Sequence, residues 1–248
     1  MTGFITVRTS SSRLNNKCLS KFGSFDTLIE YIIDRCFYFN IDPIICTSSD
    51  MSDDIIEKIA KNNNVKIFRG SLENKISRWS ACADYFNIDC FHSIDADDPF
   101  FDGERMKISM NLLKQDNYDY VKPSYYSDNG GASEGYSISS SFLKKVSKKF
   151  NDKKLDTEMA VFYFDKYDNS NYTTLDNPTY ATKINEKIPR LTLDYFEDYI
   201  LLNFLNLVVK DHFIRSNIEK YLNKNKNIVN INIELNKIWK SKQLSKKI

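Results

Sequence analysis

Apolar and polar positions alternate along the chain in two rhythms. Phe4-Ile5-Thr6-Val7 is a short, mostly apolar run and predicts a first strand. Leu28, Tyr31, Ile32, Arg35 and Cys36 repeat at the three-to-four spacing of one helix face, predicting a helix over about 24–39. A strand over Pro43 to Thr47 and a helix over Ile55 to Asn62 follow, the helix started by Ser52 with acidic Asp53 and Asp54 behind it. Strands over Val65 to Phe68, Asp89 to Ile94 and Tyr118 to Val121 then alternate with helices over Glu73 to Phe86 and Gly103 to Leu113. This order predicts βαβ units: an α/β fold with a mostly parallel central sheet and helices on both faces.

The second half is less regular. Residues 124–137 are polar and glycine-containing, too long for a simple connection, and read as a lid or substrate loop. Helices near 139–149 and 156–167, strands over Tyr172 to Leu175 and Arg190 to Leu193, and a helix over Phe196 to Val209 come next. Residues 211–248 hold nine Lys/Arg against three Asp/Glu and many asparagines, and are expected to be a helical, basic extension lying loosely on the surface.

Composition narrows the function. The net charge of +2 over 248 residues gives no general nucleic-acid signature. With only 7 glycines, no G-x-G-x-x-G and no G-x-x-x-x-G-K-[ST] occurs, so neither glycine-rich phosphate cradle is available. Two histidines exclude a three-histidine zinc site. Five cysteines without C-x-x-C spacing read as reduced, buried residues. No charged n-region precedes an apolar run, and the most apolar helix, Tyr199 to Val209, is too short to span a bilayer. The expectation is a soluble cytoplasmic protein without membrane insertion or nucleic-acid partner.

Two local charge excesses carry the chemistry. Arg8 to Lys17, after the first strand, contains three basic side chains, four hydroxyls and no acid. It stands at the carboxyl end of a parallel strand, where open α/β sheets bind ligands, and its donors suit a polyphosphate. A solvated polar loop is the plain alternative. Residues 89–104 hold Asp89, Asp95, Asp97, Asp98, Asp102 and Glu104 with no Lys or Arg. Carboxylates so crowded call for a cation, and Mg²⁺ takes one or two of them together with phosphate oxygens. Turn chemistry at Asp97-Asp98-Pro99 and helix capping by Asp102 explain the same residues. Asp194, three residues before Glu197, has near capping-box spacing, and could also face a metal.

Val7-Arg8-Thr9-Ser10-Ser11-Ser12-Arg13-Leu14-Asn15-Asn16-Lys17 resembles the x-A-R-x-x-S-x-R-L-P-x-K opening of the CTP-dependent cytidylyltransferases, which include CMP-sialate and CMP-Kdo synthetases and the spore-coat-polysaccharide type. Ile45 to Ser48, Gly70 to Asn74 with Arg78, Ile94 to Pro99, Gly130 to Glu134, and Arg190 to Asp198 resemble further motifs in family order. The resemblance implies a nucleotide-diphospho-sugar-transferase-like fold, GT-A-like and Rossmann-like, over residues 1–210, with an acceptor and dimerisation insertion at about 123–188. It implies transfer of CMP from CTP, with Mg²⁺, to a sugar or a phosphorylated or phosphonate acceptor for a bacterial surface polysaccharide, by a homodimer. By position, Arg8, Ser12, Arg13 and Lys17 would hold phosphates and Asp97 and Asp194 the metal. Lys17, Arg8 and Asp97 would be catalytic, Thr47, Ser48 and Arg78 would lie near base and ribose, and Glu134 on the acceptor side.

The sequence departs from the pattern at Asn15, where the family has Pro, and at Met159, where the spore-coat type has His after Glu158. A glycosyltransferase using Asp95-x-Asp97 as its D-x-D motif is the rival enzyme. A non-catalytic nucleotide-binding module is the rival outside catalysis. The density of positive charge in Arg8 to Lys17 favours a triphosphate over the diphosphate of a sugar nucleotide, and the retained Arg8, Lys17, Asp97 and Asp194 argue against the non-catalytic module.

Overall fold

The computed structural model describes residues 1–10, 13–152, 154–184 and 186–244. Seven strands, Thr2–Thr6 (β1), Asp42–Ser48 (β2), Lys66–Gly70 (β3), Cys90–Asp95 (β4), Tyr120–Lys122 (β5), Ser137–Ser139 (β6) and Tyr172–Thr174 (β7), form one sheet in the order β3-β2-β1-β4-β6-β5-β7. β1 is parallel to β2 on one side and to β4 on the other. β6 runs antiparallel to β4 and β5, and β7 is parallel to β5. The chain thus moves outward from β1 to β3 and then crosses back to β4. The loops after β1 and β4 leave the same carboxyl edge side by side, the reversal at which open α/β sheets form a ligand crevice.

Nine helices cover the sheet: Leu28–Tyr38 (α1), Asp54–Asn62 (α2), Lys75–Phe86 (α3), Gly103–Gln115 (α4), Ser140–Lys149 (α5), Ala160–Phe164 (α6), Phe196–Val208 (α7), Arg215–Lys224 (α8) and Leu235–Leu244 (α9) among the described residues. The two-residue strand period sorts the core. Ile5 and Ile45 pack with Leu28, Ile32, Ile56 and Leu201, while Phe4, Ile44 and Phe91 pack with Ile76, Trp79 and Phe142. α1 begins at Leu28, where its apolar pattern begins, later than the expected start near residue 24, because Thr27 accepts from Glu30 N at 3.2 Å and Glu30 accepts from Thr27 N at 2.9 Å, a capping box that sets the start.

Several expectations are corrected. Residues 124–137 are not all loop: they contain a helical turn, Ser127–Gly131, and end on Ser137, the first residue of β6, whose Ile138 is buried between Phe91 and Tyr120. Arg190 to Leu193 is not a strand; Leu191 N donates to Gly130 O at 2.9 Å and Leu193 N to Asp97 O at 2.7 Å, bridging two loops. The helix expected over 156–167 shrinks to α6 because the Thr157 hydroxyl is drawn to Ile76 N, at 3.0 Å. The basic extension does not lie loosely: Ile218, Leu222, Val229 and Ile233 are buried in the same cluster as Ile5. In α8 the buried Ile218 and Leu222 share the inward face with a buried ion pair, Arg215 and Glu219.

Candidate active site

The crevice at the β1/β4 reversal brings the two charged segments together. Lys17, set by a short helical turn Lys17–Leu19, donates from Nζ to Asp97 Oδ2 at 2.6 Å, Asp194 Oδ1 at 2.8 Å and Leu193 O at 2.8 Å. One ammonium therefore joins carboxylates 97 residues apart in sequence. Arg13 Nη2 meets Asp194 Oδ1 at 2.5 Å, and Arg190 Nη2 meets Asp194 Oδ2 at 2.9 Å. Burial alone would raise the Asp194 carboxyl, but Lys17, Arg13 and Arg190 outweigh it and hold Asp194 far below the ordinary carboxylate range. The same carboxylates outweigh the burial of Lys17 and keep its ammonium charged well above its ordinary range. Asp98 goes the other way: burial, then the charges of Asp97 and Asp95, push it well above the usual value.

Asp194 is not the helix cap its spacing suggested. Asp198 Oδ2 accepts from Asp194 N and Tyr195 N, both at 2.9 Å, and takes over that task. Asp198 also engages Arg190 Nε at 2.9 Å, so the cap and the Asp194 network share one buried guanidinium.

Arg8 donates to Leu72 O at 2.6 Å and to Glu158 Oε2 at 2.8 Å. Ser12 lies outside the described residues. Thr47 and Ser48 are fully buried, and their hydroxyls donate to Asp53 Oδ2. Thr9 N and Oγ1 donate to Asp53 Oδ1 at 2.8 and 2.7 Å. Thr47 and Ser48 thus fasten the β1 loop through Asp53. Burial raises Asp53, but these donors outweigh it and depress its pKa. Arg78 is buried and donates from Nη1 to Ser71 O at 2.5 Å and Leu72 O at 3.2 Å, holding the turn that Arg8 also grips. Glu134 is buried against Arg105 Nε at 2.7 Å and Ser124 N at 2.7 Å, so it braces the far wall.

Sequence reasoning missed Lys75, Asp53 and Glu158 as members of the site. Lys75, just inside α3, is buried with Nζ 3.0 Å from Asp95, 3.8 Å from Glu158 and 4.8 Å from the Trp79 ring centroid. A signal was present, since Lys75 follows the Gly70 to Asn74 motif directly. Asp53 passed as a first-turn helix acid, although the structure gives capping at that turn to Asp50.

Two cavities meet in the crevice. The smaller, about 170 Å³, runs along the β1 loop past Arg8 and Lys17; the larger, about 430 Å³, extends over Trp79, Tyr136 and Met159. Arg13, Asp95, Asp97 and Glu158 line both. A compartment that holds Arg8, Arg13 and Lys17 paired with carboxylates, joined at Asp97 to a roomier one, can hold a polyphosphate and a second reactant, the arrangement needed for phosphoryl-group transfer.

This sheet and site define a nucleotidyltransferase. A family model described as Cytidylyltransferase matches residues 2–228, and the chain belongs to that family. It is 27% identical over 237 residues to the uncharacterized protein MJ1063 of Methanocaldococcus jannaschii, covering 93% of each chain. It is 27% identical over 122 residues to spore coat polysaccharide biosynthesis protein SpsF of Bacillus subtilis, covering 47% of this chain and 51% of that one. Among solved structures, a cytidylyltransferase from Leptospira borgpetersenii aligns with a TM-score of 0.75 at 22% identity, over 92% of this chain and 95% of that one. A CMP:2-keto-3-deoxy-manno-octonic acid synthetase complexed with CTP aligns at 0.62 and 11% identity, over 82% and 97%. These two likenesses establish the fold. No helix of the described residues is long and apolar enough to cross a membrane.

Proposed function

We propose that this nucleotidyltransferase is CTP-dependent and transfers CMP, with Mg²⁺ and release of pyrophosphate, to a sugar or phosphorylated small-molecule acceptor. The observation that carries the reading is Lys17, which lines the smaller cavity and whose ammonium sits between Asp194 and Asp97, the carboxylate that faces both cavities. The smaller cavity takes the triphosphate, with Arg8, Arg13 and Lys17 exchanging carboxylate partners for phosphate oxygens. The larger takes the acceptor, whose oxygen attacks the α-phosphorus at the junction as pyrophosphate leaves.

Asp97 and Asp194 fit Mg²⁺, a cation content with one or two carboxylates plus phosphate and water, and no group of three or more His, Cys, Asp or Glu in the described residues forms a self-sufficient metal cage. When bound, Mg²⁺ supplies neutralisation of phosphate charge at those carboxylates. Lys17 adds a fixed positive charge where the transition state gathers negative charge. Similarity to a spore coat polysaccharide protein supports a polysaccharide precursor as product. A cytoplasmic homodimer completes the reading, and sedimentation of the purified protein tests the assembly.

The deciding assay is pyrophosphate release from a panel of nucleoside triphosphates with Mg²⁺ and mixed acidic sugars or phosphorylated acceptors. Thermal stabilisation by CTP above the other triphosphates is the first expected result. Silence toward CTP combined with stabilisation by a UDP- or GDP-sugar would instead support a glycosyltransferase.

A further inference from the structure

α9 (Leu235–Leu244) begins beyond the span 2–228 that the family model matches, yet it reaches the site. Trp239, Lys242 and Gln243 line the larger cavity together with Asp97 and Asp194. Asn236 fastens the helix there. Its Oδ1 accepts from Arg190 Nη1 at 3.2 Å, and its Nδ2 donates to Ile188 O at 3.1 Å. Arg190 is the residue that also holds Asp194, and its guanidinium stands 5.5 Å from the Trp239 ring centroid. Gly130, at φ 120° where side-chain-bearing residues are strained, lets the Ser127–Gly131 turn come against Asn236: an added Cβ would lie 2.5 Å from its Nδ2. Lys240 donates to Asn129 Oδ1 on that same turn. α9 is therefore anchored at three points on elements of the site, not laid on an indifferent surface.

Resting on the cytidylyltransferase reading, we propose that α9 is the acceptor-side wall of the active site, with the half-buried Trp239 closing the larger cavity against water and setting which acceptor enters. An indole at that wall suits a ring-sized acceptor with an apolar C–H face, such as a pyranose, whose anionic group meets Lys242 at the mouth. A wall that excludes water also protects CTP. Without it, a water oxygen takes the acceptor's place, bonds to the α-phosphorus, loses its proton to solvent, and the α–β bond breaks to give CMP and pyrophosphate.

That side reaction tests the proposal with CTP and Mg²⁺ alone, using the full-length protein and its Trp239→Ala and Trp239→Phe variants. Trp239→Ala leaves the Asn236–Arg190 anchor in place, and CTP-induced thermal stabilisation reports both folding and the nucleotide compartment. The expected result is unchanged stabilisation by CTP, acceptor-independent CMP formation raised about tenfold in Trp239→Ala, and return toward the parent rate in Trp239→Phe. CTP stabilisation preserved with CMP formation at the parent rate overturns the wall. Loss of CTP stabilisation in Trp239→Ala also overturns it, since the residue would then serve the nucleotide side or the fold. If the parent protein itself ignores CTP, the cytidylyltransferase reading fails first.

Discussion

Two networks of charge knit this chain, and they differ in what they leave open. Around Arg215 all three guanidinium nitrogens are engaged: Nε and Nη2 with Glu219 Oε1 at 2.9 and 2.7 Å, Nη1 with Phe100 O at 2.9 Å, and Nη2 with Gly131 O at 2.6 Å. Tyr126 adds its hydroxyl to Glu219 at 2.8 Å, and Arg215 and Glu219 are sealed from solvent. Around Lys17 the same kinds of group are assembled, but Asp97 stays 27% exposed at the meeting of two cavities. The first network has no partner to exchange. The second holds cations and carboxylates that a phosphate could separate. Openness distinguishes a site from a brace here, and the site also gathers more charge, three cations around Asp97 and Asp194 against the single Arg215–Glu219 pair.

The sharpest way to break that comparison is to remove one cation from each. Arg215→Ala strands the Glu219 carboxylate in the interior and is expected to cost about 3–5 kcal/mol of stability. Denaturant unfolding reads that loss, while turnover per folded molecule stays near the parent value. Lys17→Ala should do the reverse. Asp194 keeps Arg13 and Arg190, so the melting temperature changes little, but turnover falls about 10²- to 10³-fold. A stable Arg215→Ala protein, or a Lys17→Ala enzyme of near-normal rate, erases the distinction.

Asp53→Asn falls between. The side chain braces the fold, yet what it braces is the β1 loop, through Thr9, and the end of β2, through Thr47 and Ser48. Replacing an acceptor-only carboxylate by an amide leaves some of these donors facing a donor, an expected cost of about 1.5–3 kcal/mol. The loosened loop should raise KM for CTP more than it lowers kcat. An unchanged KM for CTP would place Asp53 wholly with the braces.

The parts legible in the sequence are those with a strong local signature. β1 to β5 and the helices between them follow from alternating periods, and Arg8, Lys17 and Asp97 stood out as unbalanced charge at strand ends. β6 escaped because three residues, two of them serine, carry no period; Ile138 is recognisable as core only once β4 and β5 flank it. Asp53 escaped because its partners are hydroxyls and amides brought in from two other strand ends, which no spacing announces. The extension was misjudged through its composition. Nine cations suggested a solvated tail, but Ile218, Leu222 and Val229 sit on the inward face and decide its place.

His92 offers the finest test, because it is sealed like Arg215 yet lies in the strand that leads to Asp97. Gly135 N donates to its Nε2 at 3.3 Å, which assigns the ring proton to Nδ1, donating to Ser137 Oγ at 2.8 Å. Burial lowers its pKa from 6.5 to about 3, so the folded protein keeps it neutral while an unfolded chain protonates it. The unfolded state therefore binds one more proton between these values, and stability must fall as pH drops through 6.5 toward 3. At pH 5 the contribution is about 2 kcal/mol relative to neutral pH. Urea midpoints at pH 7 and pH 5, compared between the parent and His92→Gln, isolate it, since the carboxylates titrate in both proteins. The variant should lose less stability than the parent over that interval, with no matching change in the pH profile of turnover per folded molecule. Equal losses in the two proteins would show that the ring is reached by protons without unfolding, and would move His92 from the sealed side of the comparison to the open one.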